Sequence, residues 1–187
     1  MKVKYNAPTT LTFTLLSALV LLLSGTLVPG LTQEWFSTPA PFHASQARDY
    51  VRLLSHVLGH ASIDHYISNF SFILLLGPIL ESTYGSLAML IMTLVTALAT
   101  GVLNVLVFPG TMLLGASGVV FMMILLASFT NFNKGEIPLT FILVMVVYLG
   151  REVWAAVARN DNVSQFAHII GGMVGSFFGF IKPTRRE

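Results

Sequence analysis

The chain has 187 residues, 55% of them hydrophobic and only 10% charged, with a net charge of +2. A soluble domain carries about 25% charged residues, so this chain has too few to clothe a water-exposed surface, and its expected solvent is lipid. Its basic residues form no cluster that reads as a nucleic-acid footprint, and with no cysteine it can hold neither disulfides nor thiolate metal sites.

Roughly twenty apolar residues cross a bilayer as a helix. By that measure the predicted spans are 10–28, 63–80, 86–107, 116–130, 138–158 and 165–181. The first follows Lys2 and Lys4, as a signal peptide would, but five further apolar segments favour a retained span. Segment 29–62, with Pro29, Pro39 and Pro41, is too long for a plain loop. Short helices lying in the membrane interface are expected there. The fourth span is short, and Gly150, Arg151 and Glu152 interrupt the fifth. The expectation is one membrane domain over 1–187: an all-α polytopic bundle of six transmembrane helices with a long first external loop.

Orientation follows from Lys and Arg near the span ends. With the N-terminus in the cytoplasm, Lys2, Lys4, Lys134, Lys182, Arg185 and Arg186 lie inside, against Arg48, Arg52, Arg151 and Arg159 outside. Both termini are then cytoplasmic, and the even-numbered spans all begin near the outer face. His65 and Asn69 open span two, Ser117 opens span four, and His168 lies near the start of span six. A rise of about 1.5 Å per residue puts them at similar depth.

Histidine in a lipid-embedded helix is by default a functional hypothesis, although His168 near a helix mouth could also bond a loop carbonyl. After it, Gly171, Gly175 and Gly179 recur every four residues, a spacing that lets two helices approach closely. Span four is the natural partner, its entrance kept thin by Gly115, Ala116 and Gly118. Serine is a poor nucleophile at neutral pH and needs an adjacent base, which His168 would supply to Ser117. Spans four and six hold no acid to orient the imidazole, so the unit would be a dyad. Phe121, on the face of Ser117, would stack on the histidine or simply pack. His65 and Asn69 share one helix face, and with backbone N–H groups at the helix start they could receive an oxyanion. Taken singly, Asn69 is explained as a tie between helices and His65 as a marker of the membrane interface. His56, His60 and His65 raise a metal reading, which the register of His65 and the missing His-Glu-x-x-His pattern disfavour.

In combination and order, Arg52 with SHVLGHASIDHYISN (55–69), GPILESTYGS (77–86), GASGVVF (115–121) and AHIIGGMVG (167–175) resemble the rhomboids, intramembrane serine proteases. The resemblance covers about residues 50–180. It implies Ser117 as nucleophile, His168 as general base and acid, and His65, Asn69 and the Ser117 amide as the oxyanion hole. It further implies Gly115 and Gly118 as the glycines framing the serine, and Gly171 and Gly175 as those admitting the sixth helix to the fourth. Arg52 and Glu81 would be structural, Glu81 being otherwise a partly hydrated helix end, and His56 would lie near a water path. Phe121 stands where many rhomboids have tyrosine. Non-catalytic relatives usually lack the serine or histidine, and this chain has both.

The expected partners are transmembrane protein substrates and the lipid bilayer, with no nucleic acid, no metal and no cofactor, and with no oligomer required. The interrupted fifth span is the candidate substrate gate. A compact six-span form favours a bacterial inner membrane. The competing readings are a catalytically silent scaffold that binds transmembrane helices and, less favoured for want of internal repeats, a small transporter.

Overall fold

The computed structural model describes residues 3–129, 137, 139–150 and 162–181, and among these there is no strand. Helix α1 spans Pro8–Thr26. Pro8 suits the first turn because its missing N–H would have no partner there. Ala7 at the cap offers no side-chain acceptor, yet the next two amides are satisfied. Thr9 N and Thr10 N donate to the two Glu81 oxygens at 2.9 and 3.0 Å, and Thr10 Oγ1 adds a bond of 2.8 Å. Glu81 is 5% exposed, so this acid is a buried cap for a neighbouring helix, where its charge also meets the positive end of the helix dipole. Gly77 makes the approach feasible: a Cβ there would fall 2.5 Å from Thr10 Cγ2.

Between α1 and the next long helix come α2 (Leu31–Trp35), α3 (Ala47–Ser55) and a single 3₁₀ turn, His56–Leu58. Segment 29–62 therefore carries the short helices expected of it. Helix α4 (Ile63–Tyr84) starts at Ser62, whose hydroxyl accepts the His65 N–H at 3.1 Å. It ends at Gly85, whose φ of +87° is open to glycine and strained for other residues. The reversal there leads directly into α5 (Ser86–Val107).

Helix α6 (Ser117–Ala127) is buried from Gly118 to Leu126, and a helix apolar on every side belongs at the centre of a bundle. It is shorter than the predicted span 116–130. Helix α7 (Leu139–Val144) runs into a π-helical turn, Met145–Leu149. Arg151 and Glu152, on which the gate expectation partly rests, lie outside the described residues. Helix α8 spans Asn162–Phe180. Among the described residues α1, α4 and α5 are long and apolar enough to cross a membrane, and exposed Leu15, Leu19, Leu75, Leu87 and Leu98 on them face a solvent that must be apolar.

Candidate active site

Ser117 is the first residue of α6, and three bonds to segment 29–62 hold the chain that delivers it. Leu113 N donates to Thr38 Oγ1 at 2.7 Å, Gly115 N to His56 O at 3.0 Å, and Ala116 N to His60 Nε2 at 3.4 Å. Gly115 has φ +115°, and a Cβ on it would lie 2.7 Å from His65 Cε1 and 2.8 Å from His65 Nε2. The glycine is thus required twice, for its backbone angle and for the imidazole that lies against it. Asn69, one turn after His65, is 6% exposed and approaches the same point, its Nδ2 lying 3.8 Å from that Cβ position. One of its N–H groups donates to His65 O at 3.1 Å, and the carboxamide has a second.

His168 arrives from α8. A Cβ on Gly171 would collide with the Gly118 carbonyl, and one on Gly175 with that of Met122, so the two helices touch backbone to backbone and run parallel. Extended one turn back, this register sets His168 level with Gly115. The His168 ring stacks on Phe121 at 4.3 Å between centroids and 6° between planes. His65 and His168 lie within electrostatic range of each other. Ser117, His65, Asn69, Phe121 and His168, scattered over three helices, therefore surround the entrance to α6. Gly118, facing Thr100 and the Ala167 carbonyl, gives α8 its access.

The remaining candidates lie around this cluster. Arg52 is buried and donates through Nε to Ser37 O at 2.8 Å and through Nη2 to Gln33 O, Ser37 Oγ and Thr38 O. Since Thr38 also receives Leu113 N, Arg52 supports the segment to which the Ser117 loop is tied. His56, expected near a water path, is 1% exposed, with Nδ1 at 3.1 Å from Leu53 O and Nε2 at 3.2 Å from Thr100 Oγ1. Glu81 is at the α1 cap, away from the cluster.

The sequence places His60, with His56 and Ser62, along a hydrated path from outside; instead it is 2% exposed and holds the loop before Ser117. Its Nε2 accepts an N–H, so its proton is on Nδ1, which faces Ser17 Oγ at 3.1 Å and Leu58 O at 3.3 Å. Its ring meets the edge of His65 at 4.9 Å. Burial pushes both His56 and His60 down to about 4, which keeps them neutral at pH 7. A histidine five residues before His65 was the only available signal, and it does not name Ala116 as the partner.

The apolar helices, with a half-buried polar cluster between them, define a multi-pass integral membrane protein. A profile of the rhomboid domain matches residues 47–185, and the chain belongs to the rhomboid family. It is 27% identical over 150 residues to a protein named rhomboid protease GlpG from Haemophilus influenzae, covering 79% of this chain and 77% of that one. Rhomboid-related protein 1 of Caenorhabditis elegans is 31% identical over 140 residues, 70% of this chain and 39% of the relative. RHOMBOID-like protein 2 of Arabidopsis thaliana is 28% identical over 143 residues, 73% and 43%. The chain thus spans less than half of these last two relatives.

Proposed function

We propose that the protein is an intramembrane serine protease that hydrolyses peptide bonds in or beside transmembrane helices of other membrane proteins. The observation that carries this reading is the convergence on the α6 entrance: a serine at a helix start, a histidine stacked on Phe121, and His65 and Asn69 against Gly115. A relative bearing the name of a protease adds to it.

In this mechanism His168 takes the proton of Ser117 as its oxygen attacks the scissile carbonyl. The tetrahedral oxyanion is received by the Ser117 backbone N–H, the free Asn69 N–H and the His65 ring nitrogen when that nitrogen carries a proton. His168 then returns its proton to the leaving amine, and water repeats the sequence on the acyl-enzyme. A substrate helix must unwind first, since its backbone bonds are satisfied in lipid. Helix α7 is the proposed gate: of its residues Leu139 to Val144 only Phe141 is buried, so little packing opposes its displacement. The proposed architecture has six spans with both termini cytoplasmic, in a bacterial inner membrane, and all site residues come from one chain.

The test is cleavage of a single-span reporter by the reconstituted protein, with Ser117→Ala and His168→Ala compared, and labelling of Ser117 by a fluorophosphonate. Loss of both cleavage and labelling in correctly folded variants is expected. Undiminished cleavage by either variant removes the dyad. A wild type that neither cuts nor labels leaves the helix-binding scaffold as the better account.

A further inference from the structure

Helix α3 has its polarity inside out. Asp49, Arg52 and Leu53 are buried, whereas Tyr50, Val51 and Leu54 are 50%, 52% and 38% exposed. Charged side chains ordinarily face water, so an apolar outer face above a buried ion pair suits a helix lying in the bilayer interface. Exposed Trp35 adds an amphipathic ring of the kind found at headgroup level, and the Arg48 guanidinium carbon lies 6.0 Å from its centroid.

Beside this face is a cavity of about 200 Å³, lined by His43, Gln46, Arg48, Asp49, Arg52 and Met112. Asp49 is already engaged: it accepts His43 N at 2.9 Å and lies 3.5 Å from both Arg52 Nη1 and His43 Nδ1. Arg52 commits Nε and Nη2 to carbonyls and Ser37 Oγ, so this pair is neutral and largely engaged. Arg48 is exposed and makes no ion pair among the described residues. The lining therefore carries an excess of positive charge from Arg48, and the Gln46 carboxamide can add donors.

We propose that this cavity binds the phosphate group of a phospholipid, with the Arg48 guanidinium as principal donor, His43 and Gln46 beside it, and the acyl chains along Tyr50, Val51 and Leu54. A forked guanidinium matches phosphate oxygens. The adjoining exposed apolar face is what selects a lipid over free phosphate as the source. The inference rests on the membrane setting and is independent of peptide hydrolysis.

Native mass spectrometry of the full chain in an uncharged, phosphate-free detergent tests it, titrating phosphatidylglycerol, diacylglycerol and inorganic phosphate separately. The expected result is one saturable phosphatidylglycerol site, weakened about tenfold in Arg48→Gln, weakened less in Gln46→Ala, and unchanged in Lys4→Gln, a control at an exposed distant cation. Diacylglycerol should neither bind nor compete. Competition by inorganic phosphate supports recognition of the phosphate itself, and its failure supports recognition of the whole lipid. Equal binding by wild type, Arg48→Gln and Gln46→Ala overturns the site, as does equal competition by diacylglycerol. Saturation by inorganic phosphate with no phospholipid bound overturns the lipid source.

Discussion

The α1–α4 contact and the α6–α8 contact solve one problem in opposite ways. At the first, a charged side chain fills the joint: Glu81 caps α1 with three bonds from Thr9 and Thr10, and Gly77 makes room. At the second nothing intrudes, because Gly171 and Gly175 bring α8 onto the α6 backbone. A carboxylate cap ties two helix ends firmly but tolerates small adjustments in its hydrogen bonds. Backbone contact tolerates almost none, since no side chain can turn aside. The rigid joint is the one that carries His168 to the entrance of α6, where angles and distances would decide a proton transfer.

That contrast can be broken at either joint. The largest effect belongs to the chemistry: Ser117→Ala should lower reporter cleavage by at least roughly a thousandfold while leaving thermal unfolding unmoved. Acid comes next, because it acts on the tethers behind the site. His56 and His60 titrate at about 4 when folded, below the usual value near 6.5, so their contribution is complete above pH 6.5. It declines as pH falls towards 4, by roughly 3 kcal/mol at most for each. Chemical denaturation measured between pH 7 and 4 should show this loss, and a flat profile would contradict the buried neutral rings.

Gly171→Ala should destabilise by about 1–3 kcal/mol through overpacking, and cleavage by the surviving fold should drop with it, since His168 is displaced from the α6 entrance. Glu81→Gln keeps the shape and removes the charge, costing about 1–2 kcal/mol. Its folded fraction should cleave at the wild-type rate. If the two variants lost activity in proportion to stability alike, the joints would not differ as described. The smallest effect is Phe121→Tyr, no more than about 1 kcal/mol in either stability or transition-state binding, because the stack on His168 survives.

The residues around the site were legible because local rules point at them. A serine before an apolar run is a feature of α6 alone, and a glycine every fourth residue with a histidine one turn earlier is a feature of α8 alone. Helix parity adds the expectation that Ser117, His65, Asn69 and His168 share one depth. Predicted span three coincides with α5. Span two starts with α4 but stops at 80, four residues short of Tyr84, because an apolar count passes over the polar last turn that Gly85 ends. The π turn at Met145–Leu149 was not legible, because its apolar residues fit an ordinary helix equally well.

By itself, then, the sequence determined that this chain lives in lipid and that its long segments are helical, and it supplied the expectation that certain polar residues share a level. Composition and helical period are properties of single segments, and the bilayer imposes the rest. Only the tertiary structure decided the partners: Glu81 with the start of α1, His60 with the Ala116 amide, and Arg52 with the Gln33 and Ser37 carbonyls. These groups lie on different segments. A buried polar atom demands some partner, but which one it meets is fixed by how the helices pack.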